Sequence, residues 1–280
     1  MKNDKGTAEA FASSWNNVGQ RSVYTREQFL DWMAPLTPSD LRGSTVLELG
    51  FGNGSLLYHA ADCRPCRLVG VELADTVAAT KRNLSGGEVK VELVSGDLCA
   101  VALGAFDIVY CIGVLHHLVD PSAGFQGVLR NTRMGGRFHC WVYGHEGNDL
   151  VRIVVEPVRR VTSRLPWWFT KYLVAAPLVI PFFFYAKLLG LTTGFSPGAD
   201  RWLSFLPLHD YALWISRRPY WFFNHVAFDQ LVTPQTRYLT EAEVRQFLAD
   251  PQVEPDSIYV IKRNGNSWKF GGRRVETPRA

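Results

Sequence analysis

Short apolar runs and helix-spaced stretches follow one another along the first half of the chain, the order expected of an open α/β sheet. Thr45 to Leu49 is rich in β-formers and reads as a short buried strand, and Arg67 to Glu72, Val89 to Val94 and Phe106 to Tyr110 read as three more. Arg133 to Tyr143 opens on a turn and continues as a fifth. Ser257 to Lys262 and Ser267 to Phe270 close the series as a hairpin around Asn264-Gly265-Asn266. Residues 1–44 carry an amphipathic pattern instead, with Phe11, Trp15, Tyr24, Phe29 and Trp32 among polar neighbours. They predict two short helices before Pro35 and Pro38 lead into the first strand.

Between the fifth and sixth strands the pattern changes. Val151 to Arg164 has helical apolar spacing with Arg152, Arg159, Arg160 and Arg164 on other faces, followed by Pro166-Trp167-Trp168-Phe169. Leu173 to Ala186 is uncharged for 14 residues, is interrupted by Pro177 and Pro181, and closes at Lys187. That is short of the ~20 apolar residues of a membrane span. Aromatic residues continue from Trp202 through Trp214 and Tyr220 to Phe228. The stretch predicts a helical, aromatic-rich cap inserted between strands 5 and 6 and forming an apolar substrate pocket over the cofactor. An interfacial aromatic patch flanked by arginines, making peripheral membrane contact, is the alternative. Phe228 to Pro234 then reads as a loop returning on the substrate side, and Thr240 with Glu243 as the capping box of a further helix. The predicted organisation is an N-terminal helical segment over 1–44, a core over 45–149, the cap over 150–233, the C-terminal part of the core over 234–270 and a loose tail over 271–280.

The chemistry concentrates at strand ends. After Leu49 come Gly50, Gly52 and Gly54, whose missing Cβ atoms let backbone approach a ligand closely. Their spacing departs from the Gly-x-Gly-x-x-Gly of dinucleotide-binding turns. The second strand ends in Glu72, 24 residues after Glu48, where an open sheet can set a carboxylate on ribose hydroxyls. The third ends in Ser95-Gly96-Asp97-Leu98, and the fourth leads into Cys111-Ile112-Gly113-Val114-Leu115-His116-His117-Leu118.

In this order, Val46 to Gly54, Glu72, Gly96-Asp97 and Val114 to Leu118 resemble the successive motifs of class I S-adenosylmethionine-dependent methyltransferases. The small-molecule branch, with the ubiquinone and menaquinone biosynthesis enzymes, is the most similar, and the likeness covers residues 40 to 145. It implies a Rossmann-like seven-stranded sheet with helices on both faces and S-adenosyl-L-methionine as cofactor. By the same resemblance, Glu48 and the backbone of Gly50, Gly52 and Gly54 would hold the methionine portion. Glu72 would accept the two ribose hydroxyls, Leu73 would pack on adenine, Asp97 beside Leu98 would accept from the adenine amino group, and backbone at Cys111 would meet the ammonium. Trp15 and Tyr24 would help close the site; packing of these aromatic residues on the sheet is the competing reading. Methyltransferases of exocyclic base amines resemble one another in an Asp/Asn-Pro-Pro-Tyr motif at a slot that here reads Cys111-Ile112-Gly113-Val114.

The reaction implied is methyl transfer to an O, N or C atom of a small, apolar or aromatic molecule; methylation of a peptide or protein, and a non-catalytic cofactor-binding scaffold, are the alternatives. Where the acceptor must lose a proton, His145 in the polar cluster after the fifth strand is the first choice of base, ahead of His117 and Asp229. Packing for the two histidines after the fourth strand, and a plain polar loop around His145, are the competing readings.

Composition narrows this further. A chain of 280 residues exceeds a minimal domain and leaves room for an insertion. The net charge of +4 is spread along the chain, in short pairs such as Arg159-Arg160 and Arg273-Arg274 rather than in a run, so nucleic acid is not indicated as a partner. Five cysteines, an odd number, follow an opening Met-Lys-Asn-Asp-Lys with no apolar leader, which suits a reducing, cytoplasmic setting. Cys63-Arg64-Pro65-Cys66 has metal-ligand spacing, but no second such pair exists, and a connecting turn rather than a metal site is expected. The oligomeric state is not legible.

Overall fold

The apolar runs become the strands of one sheet: β1 (Thr45–Leu49), β2 (Arg67–Glu72), β3 (Val91–Ser95), β4 (Phe106–Ile112), β5 (Thr132–Tyr143), β6 (Tyr259–Arg263) and β7 (Ser267–Arg273). The helices are α1 (Arg26–Met33), α2 (Pro38–Leu41), α3 (Ser55–Ala61), α4 (Val77–Asn83), α5 (Pro121–Asn131), α6 (Asp149–Thr162), α7 (Trp167–Phe195), α8 (His209–Ser216), α9 (Tyr220–Val232) and α10 (Glu241–Leu248). The computed structural model describes residues 24–84, 90–195 and 201–276 and the isolated positions 6, 9, 10 and 12. Val89, Trp15 and Phe11, named above from the sequence, lie outside the described residues.

The strand order is β3-β2-β1-β4-β5-β7-β6, with β1 parallel to β2 and β4, β2 to β3, and β4 to β5. The order reverses at β1, so the carboxyl ends of β1 and β4 open a crevice where ligands of such sheets bind. Alternation along each strand divides the core between the two faces. Leu47, Leu49, Val109, Cys111, Phe138 and Cys140 meet α5 and α10 on one side. Val46, Ile108, Tyr110 and Ile112 meet α1 and α3 on the other. Strands covered on both faces must be apolar at nearly every position, which is why these runs stand out. Asp107 pins β1 to β4: its carboxylate accepts from the Thr45 amide at 2.8 Å and the Thr45 hydroxyl at 2.7 Å, which holds its pKa below the usual value.

The chain divides into two compact units, one of residues 1–143, 235–261 and 268–280, the other of 144–234 and 262–267. In the first, α5 starts cleanly because Asp120 caps the amides of Ser122 and Ala123 and Pro121 supplies a preset φ. Thr240 and Glu243 form the expected capping box at α10. The expected loose tail is corrected by β7: it continues to Arg273, and Gly271 and Gly272 are buried within it. A Cβ at Gly271 would lie 2.3 Å from the Phe138 carbonyl, so the glycines there are required by close packing rather than signs of looseness.

The second unit is helical and follows β5, as an insertion before β6. Two readings change here. Pro177 and Pro181 do not interrupt the apolar run; the helix passes through both and is 29 residues long. A π-turn over Thr170–Ala175 widens the backbone just before Pro177. Such a turn accommodates a residue without an N–H. The segment from Phe228 is likewise no loop but the end of α9, so Asp229 stands on a helix. Arg159, almost wholly buried, is matched by Glu156 at 2.6 Å, the Gln230 carbonyl at 2.6 Å and the Gln230 side chain at 2.8 Å. A buried cation is stable only when satisfied in this way.

Two glycines test the packing. A Cβ at Gly127 of α5 would lie 2.0 Å from the Leu98 carbonyl, whereas one at Gly194 of α7 meets nothing within 4 Å. Gly127→Ala should lower the melting temperature, corresponding to a loss of about 1–3 kcal/mol. Gly194→Ala should be neutral or stabilising by up to about 1 kcal/mol. Equal shifts of the two in thermal denaturation would contradict the assigned packing.

Candidate active site

Beyond Leu49 the chain turns through Gly50, Gly52 and Gly54 with φ of 84°, 54° and 79°, values that side-chain-bearing residues rarely adopt. At Gly50 a Cβ would come 2.3 Å from Val114, and at Gly54 2.5 Å from Thr80. The turn is tied from several sides. Gly50 donates to the Val71 carbonyl at 2.8 Å, Gly54 to the Phe51 carbonyl at 2.8 Å, and the Asn83 amide to the Asn53 carbonyl at 2.8 Å. The Asn53 side chain accepts from the Ser55 amide at 3.0 Å and hydroxyl at 2.7 Å.

The Glu72 carboxylate is the centre of this arrangement. One oxygen accepts the Gly52 N–H at 2.8 Å; the other accepts those of Leu73 and Ala74 at 2.9 and 3.0 Å. Burial raises its pKa, and the three amides oppose the rise. Of the roughly four acceptor positions of a carboxylate, about one is left. The expectation of two ribose hydroxyls therefore narrows to one acceptor position while Gly52 stays bound. Asp97 is brought to the neighbouring strand end: Gly96 donates to the Glu72 carbonyl at 2.9 Å, and Asp97 accepts from the Cys99 amide at 2.8 Å. Leu73 is half-buried beside it. The Leu98 side chain, expected at the ligand edge, lies instead in the core 3.3 Å from where a Cβ of Gly124 would be. Leu98 therefore has only backbone to offer.

Glu48 lies beneath the turn, almost wholly buried, with the Tyr110 hydroxyl donating to it at 2.9 Å. Burial pushes its pKa up to about 8, eased by Tyr110 and increased again by the Glu72 charge. Cys111 turns its side chain into the core, its thiol pKa raised by burial, so what it presents is main chain.

After β4, Leu115 to His117 form a 3-10 turn. The His117 Nδ1 lies 3.1 Å from the Gln235 carbonyl and 3.2 Å from the Thr236 hydroxyl. The carbonyl can only accept from Nδ1, whereas the hydroxyl can either donate to it or accept from it. His116 is fully buried, its ring centroid 4.1 Å from Tyr143 and 4.2 Å from His117. Tyr143 is 5.2 Å from Trp141 and 6.2 Å from Tyr238, and Trp141 is 5.4 Å from Trp32, which in turn touches Tyr24 at 4.7 Å. This aromatic wall at the carboxyl ends of β4 and β5 is not singled out by the sequence. Its one signal is the two-residue spacing of Trp141 and Tyr143 on β5, which puts them on the same face.

The other two candidate bases belong to the second unit. His145 is half-buried in the turn after β5. Around it, the Asn148 amide donates to the carbonyls of Gly144 and Asn266, both at 2.6 Å, and Asp149 pairs with Arg152 at 3.1 Å, so both serve the fold. Asp229 does not stand on a returning loop; on α9 its carboxylate is 3.2 Å from His225 one turn away. At the Cys-x-x-Cys, the Cys63 thiol is buried and donates to the His59 carbonyl at 3.5 Å, while Cys66 is exposed. Among the described residues no group of three potential ligands could hold a metal ion.

Residues 47–140 match the family model described as methyltransferase domain. The chain is 33% identical over 122 residues to a ubiquinone biosynthesis O-methyltransferase of Thiobacillus denitrificans, covering 42% of this chain and 48% of that protein. It is 29% identical over 119 residues to an uncharacterized protein of Synechococcus, covering 40% of this chain and 28% of that one. It thus spans half or less of the length of these curated relatives. A solved O-methyltransferase family protein from Burkholderia thailandensis shares the fold, with a TM-score of 0.50 at 14% identity over 90% of this chain and 57% of that one. Residues 47–140 thus carry a methyltransferase domain, of the class that takes S-adenosyl-L-methionine as its cofactor. The residues present fit that molecule: a turn with three positive-φ glycines for close approach, and carboxylates at adjacent strand ends for hydroxyl and amine donors.

The buried Glu48 has a measurable consequence. Its folded pKa of about 8 stands above the ordinary carboxylate value, so from about pH 4.5 upward the native state holds a proton that the unfolded chain has lost. Stability should be fully present below about pH 4.5 and should drain away as pH rises toward 8. In Glu48→Gln the fall of melting temperature over that range should be flattened. An unchanged slope would show that Glu48 is not the group responsible.

Proposed function

We propose that the protein transfers a methyl group from S-adenosylmethionine to an oxygen, nitrogen or carbon atom of a small, apolar or aromatic molecule. The observation that carries this reading is the glycine turn closed on Glu72 at the point where the strand order reverses. The bound cofactor supplies a methyl group on a sulfonium, already a good leaving group. The backbone of Gly50, Gly52 and Gly54 and the buried Glu48 would hold its methionine portion, and main chain at Cys111 its ammonium. Glu72 would accept a ribose hydroxyl, Leu73 would pack on the base, and Asp97 would accept the base amine. The work left to the chain is to place the acceptor in line, and a positioned nucleophile already removes much of the barrier.

The aromatic wall of Trp141, Tyr143 and Tyr238 supports an acceptor with a flat or apolar body. His117 stands beside that wall, on the same unit as the cofactor turn, its ring held in place through Nδ1 by the segment at Gln235 and Thr236. It is therefore the preferred base. His145 comes second, and Asp229, already beside His225, third.

Calorimetry with S-adenosylhomocysteine tests the cofactor site. Glu72→Ala should weaken binding by roughly tenfold to a hundredfold, and Gly52→Val, a branched side chain at positive φ, should abolish it. Unchanged affinity in both variants would remove the proposed site. Transfer of labelled methyl from the cofactor to a panel of phenols, quinols and short peptides then tests the acceptor class, with phenols and quinols expected to be labelled; labelling confined to peptides would favour the protein-methylating alternative. With an acceptor in hand, His117→Ala should lower the rate by roughly 10²- to 10⁴-fold if His117 is the base. A rate within about threefold of wild type across a pH series would assign it a packing role.

A further inference from the structure

A helix that is apolar all round is ordinarily buried on every side. α7 is long and apolar enough to cross a membrane, yet among the described residues nothing covers one of its sides. Its inner side is committed to its own unit. Ala175, Val179, Ala186 and Leu189 are buried. Tyr220 donates to the Ala176 carbonyl at 2.5 Å, and Tyr185 to the Pro207 carbonyl at 2.8 Å. Lys187, the single charge between residues 172 and 195, folds back to donate to the carbonyls of Ser216 and Arg218 at 2.6 and 3.0 Å, at the end of α8. That charge is thereby taken off the outer side.

The outer side is one continuous stripe. Leu173, Ile180, Phe184, Leu188, Leu191 and Phe195 are all exposed, Phe184 at 65%, Leu188 at 64% and Phe195 at 88%. Their spacing follows the helical repeat along about 33 Å of axis. Aromatic side chains stand at both ends: Trp168 and Tyr172 at the first, then Trp202 and Phe205, exposed at 81% and 80%, just past the second. Such rings prefer the boundary between headgroups and acyl chains. Charge completes the pattern. Arg159 is paired with Glu156 and Lys187 is turned inward, which leaves Arg160 and Arg164 exposed before the stripe and Arg201 exposed after it. A second copy of the chain would bring the same cations to the face, whereas an anionic leaflet answers both the apolar stripe and its cationic ends.

We propose that the outer side of α7, with the aromatic residues at its two ends, lies in the headgroup–acyl boundary of an anionic lipid leaflet and holds the protein on the membrane surface. The helix does not cross: its inner side is hydrogen-bonded to the elements that follow it, so the protein unit takes the place of the polar face of an interfacial helix. The proposal is independent of the methyl-transfer reading.

Flotation of the full chain through a density gradient tests it, with vesicles of phosphatidylcholine alone and with part of it replaced by phosphatidylglycerol. The protein should rise with both and more with the second, and high salt should remove the increment but not the apolar part. Phe184→Glu and Leu188→Glu should lower the partition by roughly tenfold to a hundredfold. Both sites are exposed, so their melting temperatures should match wild type. A wild type that stays down with both vesicles, or a Phe184→Glu variant that floats equally well, overturns the proposal. A concentration-dependent dimer lost in Phe184→Glu, without flotation, would make a second copy the occupant.

Discussion

The hydrogen bond from the Gly52 amide to the Glu72 carboxylate joins the ends of β1 and β2 and fixes the turn on which the cofactor site rests. It is charge-assisted, and it holds in place a backbone conformation that ordinary residues avoid. Everything around it conforms. The same carboxylate gathers the amides of Leu73 and Ala74, the Glu72 carbonyl takes the amide of Gly96, and Asp97 is thereby set at the next strand end. Val114 and Thr80 close against the two outer glycines, where no Cβ would fit.

Beneath the turn the low-dielectric core gives the two acids different characters. Glu72 keeps three amide donors against the cost of burial, while Glu48, which accepts from the Tyr110 hydroxyl, is pushed to about 8. A protonated acid under a site for a cationic cofactor is a group whose charge answers to what binds above it. The aromatic wall stands on the same sheet, carried by β5 and by the segment whose Arg237 and Leu239 amides donate to the carbonyls of His116 and Tyr143. The helical unit is built on different physics. Its interior is aromatic and small-residue packing around α7, and its outer surface is apolar where a soluble surface would be charged.

The sheet and the turn were legible because their physics is local. Strands covered on both faces must be apolar throughout, and a positive φ at three alternate positions asks for glycine. Carboxylates at strand ends followed from the spacing between strands. What was not legible depends on long-range packing. The prolines at 177 and 181 read as breaks, but the π-turn before the first and tertiary support carry the helix through. Gly271 and Gly272 read as looseness, yet they are strand residues where another backbone passes close. Phe228 to Pro234 reads as a loop, yet Phe228 and Leu231 are buried along a helix that carries Asp229. The contact of Tyr238 with Tyr143 joins residues almost a hundred positions apart, and no local pattern announces it.

Hydrogen–deuterium exchange of the full chain, with and without saturating S-adenosylhomocysteine, bears most directly on the central claim. If the turn held by Glu72 is the cofactor site, exchange should slow at residues 50–55, 72–76, 96–98 and 111–117. Slowing confined to residues 149–232, or no change at saturation, would contradict it.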